Sequence, residues 1–145
     1  MRRKELYYAA ALIAAPLFCF FYSWLFGSQP VTTKELFFKK ETFIWTLIIF
    51  PVIEELTFRG VIQEYIGRKT KQYLLFFHLS LANLLTSLLF SAIHLIYHAP
   101  LWAGLVFFPS LIFGYFKEQY QSIIPSILLH IFYNLNFIWI IGKAS

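Results

Sequence analysis

The sequence predicts an all-α fold, a polytopic bundle of about five transmembrane helices forming one membrane-embedded domain over residues 1–145. Three observations predict it. Of the 145 residues, 59% are hydrophobic and 21% aromatic, while only 13% are charged, against about 25% in an ordinary soluble domain. That leaves too little polar sequence to cover a water-soluble core. The apolar residues fall into long runs near the length that crosses a bilayer, about 20 residues. The basic residues collect in short clusters between those runs, at Arg2-Arg3-Lys4, Lys39-Lys40 and Arg68-Lys69-Lys71, as in membrane-flanking loops. The same pattern argues against nucleic acid as the partner of the net charge of +5. Cys19 is the only cysteine, so no disulfide scaffold is expected.

The first span is 6–26. It follows a basic segment, but its apolar run is longer than a signal-peptide core and no small-residue cleavage site follows. Ala10/Ala14 and Ala11/Ala15 are small-xxx-small pairs that would admit a close helix neighbour. Residues 27–42 are a polar interval whose Leu36-Phe37-Phe38 patch suits the membrane interface. The second span is 43–66, with Pro51 loosening the helix. The third is 73–97, closed by a turn at His98-Ala99-Pro100 because the residue before a proline avoids the helical region. The fourth, 101–116, is short and carries Gly104, Pro109 and Gly114, which predict a kink or tilt. A polar turn is expected over 117–122. The fifth span, 123–141, holds Pro125 in its first turn, where a missing N–H costs least. With the N-terminus inside, Arg2, Arg3, Lys4, Arg68, Lys69, Lys71 and Lys117 are cytoplasmic, and Lys34, Lys39, Lys40 and Lys143 are outside. This bias sets the expected orientation.

Function is sought among the polar groups at membrane depth. The second span carries Glu54, Glu55 and Arg59, each of which would cost about 2.5–3.5 kcal/mol at a lipid-facing helix centre. They are therefore expected to face protein or a wet cavity. Glu55 and Arg59 have the i, i+4 spacing and order of a favourable pair. Glu54 is rotated by about 100° from Glu55, which separates a structural carboxylate from one available for chemistry. The plain alternative is an ion-pair network that only joins helices. His94 ends the apolar run of the third span, and His98 lies one turn on, as an interfacial histidine; His78 is expected to be structural. His130 and Asn134 share a face of the fifth span, either as helix–helix glue or as two donors to one oxygen. Asn83, Thr86, Ser87 and Asn136 are expected to make ordinary interhelical hydrogen bonds. A carboxylate, two histidines and an asparagine suffice for peptide hydrolysis, with a base for water and donors for an oxyanion. Neither GxSxG nor HExxH occurs.

Glu54-Glu55-x-x-x-Arg59, Phe90-x-x-x-His94 and His130-x-x-x-Asn134, in that order, resemble the CPBP family. This family comprises CAAX-type prenyl endopeptidases and the bacteriocin-processing or self-immunity proteins also called Abi proteases. The resemblance covers about residues 43–141. It implies an intramembrane endopeptidase of glutamic type with a CAAX-protease-like helical core. In it Glu54 with His94 activates water, His130 and Asn134 stabilise the oxyanion, and Glu55 and Arg59 support the first motif. No cofactor is expected, although Glu54, His94 and His130 would form a His₂Glu zinc set if the enzyme were metal-dependent. Asn134 suits a donor role better than a metal. The chain is shorter than larger family members, which turns the expectation from prenyl-protein processing toward a short bacterial member in the inner (plasma) membrane. Its expected partners are the lipid bilayer and a membrane-anchored protein or peptide, such as a C-terminal sorting tail. A non-proteolytic immunity or binding protein, and a proton relay using Glu54, Glu55 and Arg59, are the competing readings.

Overall fold

The structure is a computed structural model that describes residues 3–26, 43–75 and 78–141. The expected interfacial patch Leu36-Phe37-Phe38, with Arg2, Lys34, Lys39, Lys40 and Lys143, lies outside the described residues. All regular structure among the described residues is helical, apart from a single antiparallel bridge between Leu74 and Ser80. Five helices follow in order: α1 (Arg3–Phe26), α2 (residues 43–69), α3 (Leu81–His94), α4 (Pro100–Tyr120) and α5 (Ile124–Ile141). Two compact units make up the chain, one of residues 1–52 and 128–145, the other of residues 53–127.

In the first unit, α1 is continuous through Pro16. It buries Ala11, Ala15 and Cys19, each four residues from the next, while Leu6, Ile13, Leu17, Phe20, Phe21 and Trp24 are exposed. Of the two expected small-residue pairs, Ala11/Ala15 is therefore the packed one; Ala10 and Ala14 are exposed. The Tyr133 hydroxyl of α5 donates to the Ala11 carbonyl at 2.9 Å. The start of α2 widens into a π-helical turn over Trp45–Ile49, in which the Phe50 N–H reaches back five residues to the Trp45 carbonyl. Pro51 follows this turn directly. Its ring and missing N–H obstruct a regular ladder, and the wider turn accommodates them.

In the second unit, α2 continues through Phe50–Glu55, of which residues 53–55 belong here, into a second π-helical stretch, Leu56–Ile62, and ends as Gln63–Lys69. The third helix begins later than the hydropathy predicts. Residues 73–75 and 78–80 are not helical: Leu81 N–H bonds to the Tyr73 carbonyl at 2.9 Å, and His78 has a left-handed φ of 59°. Ser80 then caps α3, its side chain accepting the Asn83 N–H. The resulting 14-residue helix is about 21 Å long, short of the roughly 30 Å hydrocarbon core. The fourth helix, by contrast, is longer than expected. Pro100 occupies its first turn after an extended Ala99, at φ −57° and ψ 145°. The helix breaks at Val106 because the Pro109 ring crowds the carbonyl four residues earlier. It then runs through the expected polar turn to Tyr120, where Gln121 closes it in the left-handed region, at φ 50°. Lys117 stays helical because it pairs with Glu64, and Glu118 because it accepts from Gln63 and Ser80.

Burial is inverted relative to a soluble protein. Glu55, Arg59, Asn83, Ser87 and Ser110 are fully buried, while Trp24, Val61, Ile96, Phe108 and Trp139 are exposed. Arg3–Leu25 and Pro100–Tyr120 are the two helices long and apolar enough to cross a membrane among the described residues.

Candidate active site

The ion pair that the i, i+4 spacing predicts is present. Arg59 Nε donates to Glu55 Oε2 at 3.2 Å, with both side chains at 0% exposure. Arg59 also donates from Nη2 to Ser110 Oγ at 2.5 Å and from Nη1 to Gln63 Oε1 at 3.4 Å, and its guanidinium lies 5.8 Å from the Phe90 ring centroid. A buried charge needs such partners to offset its lost hydration. The network extends through Gln63 Nε2, which donates to the Gly114 carbonyl at 3.2 Å and to Glu118 Oε1 at 2.7 Å. Ser80 Oγ donates to the same Glu118 oxygen at 2.5 Å. Gly114 is required by this close approach: a Cβ there would lie 2.0 Å from Asn83 Oδ1 and 2.9 Å from Gln63 Oε1.

Gln63, Ser80, Ser110 and Glu118 join this polar interior without belonging to any of the three motifs. Their signal is periodic. Glu55, Arg59 and Gln63 repeat every four residues on α2, as do Ser110, Gly114 and Glu118 on α4. Among the four expected interhelical donors, Asn83 reaches the Leu111 carbonyl at 2.9 Å. Ser87 instead donates to Asn83 and Asn136 to Phe132, both within their own helices. Among the described residues, the buried Thr86 hydroxyl has no hydrogen-bond partner.

Glu54 is half-buried on α2, one residue before the fully buried Glu55. His94 is half-buried at the end of α3. Its Nδ1 lies 2.9 Å from the Phe90 carbonyl. A carbonyl only accepts, so Nδ1 is the donor in this bond. The Phe58 and Phe90 rings meet edge to face at 4.9 Å. Further along, Gln63 and Ser80 share Glu118, so a later residue of α2 matches an earlier one of α3 and the two helices run antiparallel. His98, expected at the interface, is half-buried and stacks on His94, with centroids 5.6 Å apart and planes 20° apart. His78 is exposed, shortly before α3.

In the other unit His130 is buried at 6% exposure on α5. One turn on, Asn134 Nδ2 donates to the Thr46 carbonyl at 3.1 Å. That acceptor arises from the π-turn. The Phe50 N–H, its partner in a regular helix, goes to Trp45 instead, and its partner in a wide turn would be Pro51, which has no N–H. Among the described residues, no three His, Cys, Asp or Glu side chains gather to hold a metal ion.

An all-helical chain with charges inside and large apolar side chains outside defines a membrane protein built around a polar interior. Residues 36–136, more than half the chain, match the family model for Rce1-like proteins, type II CAAX prenyl endopeptidase Rce1-like. The chain belongs to this family, which implies a peptidase. The matched stretch contains Glu54, Glu55, Arg59, His94, His130 and Asn134. No curated protein and no solved structure matches the chain.

Proposed function

We propose that the protein is an intramembrane endopeptidase hydrolysing a peptide bond in a membrane-anchored protein or peptide. Glu54 takes a proton from water, which His94 Nε2 aligns by accepting its second hydrogen. The water oxygen attacks the scissile carbonyl. His130 and Asn134 donate to the oxyanion as it forms. Glu54 then returns its proton to the leaving nitrogen as the C–N bond breaks. Asn134 has two amide hydrogens; one goes to Thr46, and this reading assigns the other to the oxyanion. Glu55 and Arg59 hold α2 in register rather than react.

The observations that support this reading are a carboxylate held by a buried cation, Glu55, directly beside a half-buried one, Glu54, and a histidine whose Nδ1 donates to the Phe90 carbonyl. The route is metal-free. Five spans, a bacterial plasma membrane, a cytoplasmic N-terminus and a membrane-anchored tail as substrate complete the proposal. The alternation of apolar runs with basic clusters supports its topology.

Glu54→Gln and His94→Ala are expected to abolish cleavage in folded protein, read as unprocessed termini by mass spectrometry of cells carrying each variant. Normal processing with Glu54→Gln would sink the mechanism. A zinc chelator is expected to leave cleavage intact; stoichiometric zinc with loss of cleavage on chelation would replace it by the His₂Glu version.

A further inference from the structure

His94 is the last residue of α3, where a side chain has lost the following turn that would restrain it. A side chain that aligns water from such a position needs another restraint, because a small misplacement near the reacting atoms lowers the rate steeply. The chain supplies one. Beyond the end of α3 it continues for one more turn, with the His98 N–H bonded to the His94 carbonyl at 2.9 Å. Ala99 then turns to extended backbone before Pro100. This extra turn places the His98 ring nearly parallel to that of His94, 5.6 Å away. From the turn before, the Phe90 ring lies 4.4 Å from His94, and Phe90 is itself braced by Phe58 at 4.9 Å. His94 is thus contacted by an aromatic ring one turn before it and another one turn after it. Its Nδ1 proton is engaged by the carbonyl of the earlier residue.

We infer that His98 is a positioning residue for His94. Its stacked ring keeps the imidazole from turning over, so Nδ1–H stays on the Phe90 carbonyl and Nε2 remains the accepting atom. The inference rests on the proposed role of His94 as the histidine that aligns water. The stacking itself requires an aromatic plane rather than an ionisable group, so phenylalanine at this position should serve.

The test reads the tautomer directly. Nitrogen NMR of the imidazole rings of the full chain in micelles, with His94 assigned by its own substitution, is expected to show a fixed Nδ1–H form. In His98→Ala both His94 nitrogens should move toward averaged values, and in His98→Phe the fixed form should return. His98→Gln, which lacks the ring but keeps a comparable side-chain length, decides the matter if the alanine variant does not fold. A fixed His94 tautomer in a folded variant lacking the ring would overturn the inference. Cleavage in cells, read as processed termini by mass spectrometry, gives the activity arm: the rate of processing is expected to fall about tenfold in His98→Ala and to recover in His98→Phe. Unchanged processing in His98→Ala would also overturn it. Loss of the tautomer effect while His94→Ala still abolishes cleavage defeats this inference alone. Full cleavage by His94→Ala defeats the proposed function instead.

Discussion

Residues 53–127 and the unit of residues 1–52 and 128–145 hold their helices by different means. In the first, a buried guanidinium, two carboxylates, an amide and two hydroxyls bond one another across α2, α3 and α4. In the second, α1 buries a stripe of small residues, and hydrogen bonds among the described residues include two from one side chain to one main-chain carbonyl, Tyr133 to Ala11 and Asn134 to Thr46. Apolar side chains gain little by leaving lipid for one another, so neither unit can rely on the hydrophobic effect between its helices. The polar network fixes a register that sliding would break at several points together. The small-residue contact permits close approach but specifies position less sharply.

Substitutions can break this contrast in graded steps. Arg59→Met leaves Glu55 buried without its cation, and breaking such a pair costs about 3–5 kcal/mol. Equilibrium unfolding in detergent should show the loss, and a change under about 1 kcal/mol would mean that the pair is not a structural centre. Gly114→Ala forces a Cβ to within 2.0 Å of Asn83 Oδ1; overpacking of this kind costs about 1–3 kcal/mol. Adding Asn83→Ala should recover part of that loss, and strict additivity of the two would show that they do not meet. Tyr133→Phe removes one hydrogen bond, worth about 0.5–1.5 kcal/mol, and should be the mildest of the three by the same unfolding measurement. If it equals Arg59→Met, the contrast between the units fails.

Much of the fold was legible because apolar runs, prolines and basic clusters are local signals. Pro125 falls in the first turn of α5, as expected, and Pro100, expected in the turn before the fourth span, is the first residue of α4. The start of α3 was not legible from hydropathy: Tyr73, Leu74 and Leu75 read like helix, yet the bridge between Leu74 and Ser80 competes with it. Lys117 and Glu118 read as a loop because their partners, Glu64, Gln63 and Ser80, lie far away in the chain. Of the candidate site, the Glu55–Arg59 pair follows from helical spacing alone. The stacking of His98 does not, since it depends on the chain taking one more turn beyond α3. The engagement of Asn134 with Thr46 was hidden for another reason: a sequence shows a proline but not which carbonyl the proline strands.

Pro51 has a reach that its own contacts do not suggest. Because it has no hydrogen to give, the Thr46 oxygen is left for a side chain from another helix, and the amide that takes it is Asn134. One imino acid thereby dictates the orientation of a side group far downstream. Any residue with an N–H at that position would let the backbone reclaim its acceptor and set the asparagine loose.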